Sequence, residues 1–203
     1  MERSFKRRNP HKSSRLVVII AEGKNKEPNY FKQFEFRDSR IKLQIISPDI
    51  INRNNSAKGL LKQAISYKKK ETLSGSDEVW IVFDSDANSD DTLCEVRNRA
   101  SANNINLAQS NPCFEVWLYY HFFDTSPGED APITQIGWKE YLDKKVPGGV
   151  NVADCYDKVF AAINNSEANF SADENGIPTL FSTECHMLMR DIDKLLLLSK
   201  RSK

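Results

Sequence analysis

Three carboxylates stand directly after runs whose composition marks them as buried strands. Glu22 follows residues 16–21 (LVVIIA), and Asp84 and Asp86 follow residues 79–83 (VWIVF). Alternate residues of an extended chain point to the same side, so Asp84 and Asp86 can face one centre. If the two strands are neighbours, Glu22 joins them. In an open parallel sheet, ligands bind beyond the carboxyl ends of the strands, near the switch in strand order. Two unit charges ~4 Å apart repel by about 4 kcal/mol at an effective dielectric near 20, so such a cluster calls for a cation. Hard oxygen donors select Mg²⁺ or Mn²⁺ over zinc. Glu22, Asp84 and Asp86 are therefore the candidate catalytic and metal-binding residues, with Glu22 either a ligand or a general acid/base.

Blander readings compete with this one. An aspartate after a strand is ordinarily a turn or cap residue. Asp84-x-Asp86-x-Asn88 with Glu95 twelfth also resembles a calcium loop, but its sixth position is Ser89 where glycine is needed, and a strand precedes it. In residues 110–115 (SNPCFE), Asn111 is a good helix cap, Pro112 a good first residue, and Glu115 favours the helix dipole. The strand before that helix should end on the same edge as Asp84, which makes Glu115 a candidate further ligand and Asn111 a candidate nucleic-acid contact. Lys24 is near enough in sequence to meet a scissile phosphate.

The elements that must position these groups alternate. Strands are expected at 16–21, 41–47, 79–83 and 105–109, with helices opened by Pro28 as first residue, over 56–73, over 91–102 and from Pro112 to about 123. Apolar runs without alternation mark strands buried on both faces, and strand–helix alternation marks an α/β parallel sheet. A Pro/Gly-rich stretch over 124–150 precedes two more helices, near 151–165 and 183–199. The expected organisation is a basic flexible arm (1–15), an α/β core (16–123) and a C-terminal helical extension packed on it (124–203).

Composition narrows the class. At 39% hydrophobic and 28% charged residues, the 203-residue chain has a globular mix and not a disordered one. Its net charge is only +1, yet residues 1–15 hold six basic residues against one acid, among them Arg7, Arg8 and Lys12. Such an arm suits an anionic partner through counterion release. The lysines of the helix from Lys58 to Lys70 could likewise bind a phosphate backbone. The four cysteines form no C-x-x-C pair, and no apolar run approaches the ~20 residues of a membrane span. No secretory leader is apparent, so a cytoplasmic protein without membrane contact is expected. Phosphate-binding G-x-x-x-x-G-K-[ST], G-x-G-x-x-G and G-x-S-x-G motifs are absent.

Three segments together resemble the RloB family: residues 21–31 (AEGKNKEPNYF), 77–86 (DEVWIVFDSD) and 110–117 (SNPCFEVW), with a weaker match at Pro178-Thr179 before the last helix. The resemblance implies a Toprim-like fold in which the glutamate after the first strand and the D-x-D after the third form a divalent-metal centre. Glu22, Asp84 and Asp86 occupy those positions. It also implies a role in prokaryotic restriction or abortive-infection loci, in antiviral (phage) defence, often beside an ATPase. The chain departs from the family pattern at Lys26, where a threonine is common. The expectation is a Mg²⁺- or Mn²⁺-dependent Toprim-type nuclease acting on DNA or RNA. The alternative is a non-catalytic subunit that binds nucleic acid or senses phage for an ATPase partner.

Overall fold

The computed structural model describes residues 14–35, 40–47, 56–86 and 88–200. Four strands, β1 (Arg15–Ala21), β2 (Ile41–Ile46), β3 (Glu78–Asp84) and β4 (Asn106–Ser110), form one parallel sheet in the order β2-β1-β3-β4. The chain moves one way from β1 to β2, then crosses back over β1 to β3. The order therefore switches between β1 and β3, where a parallel sheet opens a crevice at its carboxyl edge. α1 (Lys26–Lys32) makes the first crossover, and α2 (Ala57–Lys70) and α3 (Asp90–Ala102) make the next two.

Both faces of the sheet are covered, which explains the unbroken apolar runs. Val18, Ile20, Val79, Ile81 and Phe83 pack under α2 and α3, through Leu60, Leu61, Leu93 and Val96. Val17, Ile19, Ala21, Trp80 and Val82 face a larger aromatic core holding Tyr30, Phe31, Phe114 and Trp117. Ser56 and Ser89 cap α2 and α3, their side chains accepting the N–H groups of Gly59 and Thr92. Pro28 is the third residue of α1, not its first; it still lies in the turn whose N–H groups have no helical partner.

The helix expected from Pro112 is shorter. α4 spans Glu115–Tyr119, and Asn111 and Pro112, joined by a cis peptide bond, precede it. The reason is non-local: Asn111 N–H donates to the carbonyl of Ser182, and its own carbonyl accepts from Phe181. The Pro/Gly-rich stretch contains an unexpected helix, α5 (Trp138–Lys145), begun by Gly137 at φ 91°. A 3₁₀ turn (Val152–Lys158) leads into α6 (Val159–Ala168), and α7 (Cys185–Lys200) follows. α5, α6 and α7 complete the aromatic core with Trp138, Ile163 and Leu188, so the C-terminal part shares a core with the sheet. Arg15, counted with the arm by sequence, is the first residue of β1 and ion-pairs with Glu78. Arg7, Arg8 and Lys12 lie outside the described residues. Among the described residues, no helix is long and apolar enough to cross a membrane.

Candidate functional site

β1 and β3 are hydrogen-bonded neighbours with Ala21 opposite Val82, so their carboxyl ends emerge side by side. Glu22 continues the ladder by donating its N–H to Val82 O at 2.9 Å. Its side chain turns toward β3, where Oε2 accepts the N–H of Asp84 at 2.9 Å. Beyond Asp84 the chain turns sharply. Ser85 N–H donates to Ser110 O (2.9 Å), Asp86 N–H to Pro112 O (3.4 Å) and Asn88 Nδ2 to Asp84 O (3.1 Å). Asp84 is half-buried and Asp86 exposed. Asp86 Oδ2 accepts the N–H of Gln135 at 3.2 Å, so a loop of the C-terminal part reaches this edge.

Two more carboxylates belong to the cluster. Glu27, buried in the first turn of α1, folds its carboxyl group back over Gly23. Glu115, at the start of α4, ion-pairs with Lys26. The expectation that β4 leads the chain back to this edge is met for Glu115. Glu27 was not anticipated: in the sequence it is an ordinary first-turn acid, and only its five-residue spacing from Glu22, with Gly23 leaving room between, hints at its place.

The electrostatics follow from crowding. Burial, together with Glu27 and Asp86, pushes the Glu22 carboxyl up to about 7, against the opposing pull of the Asp84 N–H. Burial and the proximity of Glu22, Glu27, Glu115 and Asp86 raise Asp84 well above the carboxylate range. Burial and Glu115 raise Glu27, with Lys26 opposing. Lys26, the departure from the family pattern, thus brings a positive charge into an acidic cluster.

The donor set suits a hard divalent cation: carboxylate oxygens only, mutually repelling, on the edge where the strand order switches. As the side chains stand, no group of three or more His, Cys, Asp or Glu among the described residues is arranged to hold a metal ion. The local partners account for this. Glu22 is turned onto the Asp84 N–H, Asp86 onto the Gln135 N–H, and Glu115 onto Lys26. Among the described residues, the Asp84 carboxylate receives no hydrogen-bond donor. Coordination would require these side chains to exchange those donors for the ion.

Other anticipated residues have different placements. Lys24 is exposed in the loop two residues beyond Glu22. Asn111 spends its side-chain N–H on Pro178 O (2.8 Å), which secures the C-terminal segment. Along α2, Lys58 pairs with Glu95, and Lys68 donates to the carbonyls of Asn103 and Asn104 before β4. The Lys68–70 run therefore lies at the amino edge of the sheet, away from Glu22 and Asp84. The calcium-loop alternative fails because strand β3, and not an entering helix, precedes it, and Glu95, its twelfth residue, pairs with Lys58 and Arg99.

Nucleophilic alternatives find no support. Burial raises the thiols of Cys155 and Cys185 to about 12, and raises Cys113 further with Glu115 and Asp84 nearby. His121, held by Tyr30 Oη (3.1 Å) and Trp117 O (3.0 Å), is pushed down to about 4 by burial and stays neutral.

A family model described as RloB-like protein matches residues 17–192, and the chain belongs to that family. The resemblance carried by the three sequence segments is borne out. No curated protein and no solved structure gave a significant match.

Proposed function

We propose that this member of the RloB-like family is a divalent-metal-dependent nuclease that hydrolyses phosphodiester bonds of DNA or RNA in prokaryotic defence against phage. The observation that carries the reading is the meeting of Glu22, Glu27, Asp84, Asp86 and Glu115 at the switch point between β1 and β3. Evolution rarely assembles mutually repelling carboxylates without a use for them, and perturbed acids cluster at functional sites.

Asp84 and Asp86 would hold Mg²⁺ or Mn²⁺, with Glu115 as a further oxygen donor and Glu22 as either a further ligand or the general acid/base. The ion supplies charge stabilisation for the phosphoryl oxygens and leaving group. Glu22, with its carboxyl near 7, is suited to take a proton from water or return one to the leaving oxygen at neutral pH. Exposed Lys24 would meet the phosphate as a point charge, a contact that positions without reading sequence. The basic arm would extend that contact.

The test is cleavage of plasmid, single-stranded DNA and bulk tRNA by the purified chain with Mg²⁺, Mn²⁺ or EDTA, beside Asp84→Ala. Metal-dependent cutting that the variant loses supports the reading; undiminished cutting by the variant sinks it. A second reading, a binding or sensing subunit for an ATPase partner, is favoured by the absence of a ready three-carboxylate arrangement among the described residues. It gains if the chain alone never cuts and if, with the partner added, Asp84→Ala supports cutting as well as wild type does.

A further inference from the structure

Ser85, between the two aspartates, is the visible end of a buried polar chain. Gln109, fully buried on β4, donates Nε2 to Ser85 Oγ at 2.8 Å and accepts at Oε1 from Arg97 Nη1 at 2.9 Å. Guanidinium is donor-only, so the Gln109 amide can face Arg97 only with its oxygen, and its nitrogen is thereby aimed at Ser85. Arg97 is fixed in turn: Nη2 and Nη1 fork onto Glu184, at 2.5 and 3.3 Å. Glu184, buried just before α7, also accepts the Gln109 N–H (3.1 Å) and donates its own N–H to Gln109 O (2.8 Å).

A surface turn does not need this much support. Ser85 just after β3, Gln109 on β4 and Glu184 just before α7 are buried, Arg97 on α3 is partly so, and the linked chain of hydrogen bonds ends at Ser85 Oγ, the middle residue of the D-x-D turn. A fully satisfied buried network rigidifies what it touches. We infer that Gln109, oriented by Arg97 and Glu184, is a positioning residue that holds the turn 84–86 so that Asp84 and Asp86 receive the cation together. The inference rests on the metal-centre reading above. It also makes the C-terminal segment part of the centre, because Glu184 contributes from beyond the α/β core.

The test measures Mn²⁺ binding to the full chain from the free-ion EPR signal, in wild type, Asp84→Asn, Ser85→Ala, Gln109→Leu and Val96→Ala. Groups behind metal ligands typically contribute about 10–100-fold to affinity. Ser85→Ala and Gln109→Leu should each weaken Mn²⁺ binding by roughly ten-fold or more. At saturating metal the KM for nucleic acid should stay unchanged, and Ser85→Thr, which keeps the hydroxyl, should restore binding. Val96→Ala, a cavity beside Arg97 on the same helix, should lower Tm without changing affinity. Ser85→Ala is the arm least exposed to misfolding, since it removes one oxygen from a turn. Wild-type affinity in Ser85→Ala, with Asp84→Asn still defective, overturns the inference and leaves the metal centre standing. Equal, negligible binding by wild type and Asp84→Asn overturns both.

Discussion

The carboxyl group of Glu27 occupies the space that a side chain at Gly23 would fill. The loop after β1 needs glycine there for clearance and not for its dihedral angles. Gly23→Ala should cost no more than about 1 kcal/mol, the low end of overpacking, because what the methyl meets is the far end of the Glu27 side chain, read by urea denaturation in EDTA. Because the added methyl acts through Glu27, the loss should shrink in Gly23→Ala/Glu27→Ala, where the offending carboxyl is gone. Additive losses in the double variant would place the strain elsewhere.

The same crowding sets a pH dependence. The folded-state carboxyl of Glu22 lies near 7, above its ordinary 4.5, and Glu27 and Asp84 shift the same way. Over that interval the folded chain holds protons the unfolded chain has lost. The resulting stability is fully present below about 4.5 and lost as pH rises through about 7. Tm in EDTA, taken relative to that of Glu22→Gln, should therefore fall from pH 5 to pH 8; His121 and His186, held neutral by burial, act in the opposite sense in both proteins and cancel in the difference. Mg²⁺, which requires deprotonated ligands, should raise Tm at pH 8 and have little effect at pH 5. A wild-type Tm that climbs relative to Glu22→Gln over this range would contradict the assignment.

Much of this centre is legible in the chain because its strands are buried on both faces. Unbroken runs such as 16–21 and 79–83 locate strand ends to within a residue, and the acids that follow are then forced to the carboxyl edge. Glu27 escapes such reading since its inward fold depends on the return of the loop 22–25. Trp138, Tyr141 and Leu142 do carry helical spacing, but the surrounding prolines and glycines mask α5. Asn111-Pro112 has the local chemistry of a helix start, and contacts with Phe181 and Ser182, some seventy residues on, prevail over it.

Lys26 tests whether the cluster carries its own counter-charge. Its partner Glu115 is mostly buried while the lysine is partly exposed. A pair of this kind is worth up to about 1 kcal/mol, so Lys26→Ala should lower Tm only slightly. The difference from wild type should narrow as salt is raised, because screening weakens the interaction. Without Lys26, Glu27 loses a positive neighbour that, with backbone N–H groups, holds its carboxyl down. The variant should then gain more Tm from Mg²⁺ than wild type does. An equal gain would mean that Lys26 does not share the site with the ion.

Asp84→Asn separates function from stability most sharply. The aspartate is surrounded by four other carboxylates and, among the described residues, has no donor of its own. An amide of the same shape removes one charge from the repulsion and can donate to a neighbouring acid. If the centre is kept for chemistry and not for folding, this substitution should abolish metal-dependent cleavage and raise Tm in EDTA at pH 8. Strained active sites commonly show this trade-off. At pH 5, where Glu22 is protonated and burial holds the Asp84 carboxyl up, the two proteins should melt closer together. A lower Tm at both pH values would instead assign Asp84 a structural role, as a stabilising acid at the end of β3.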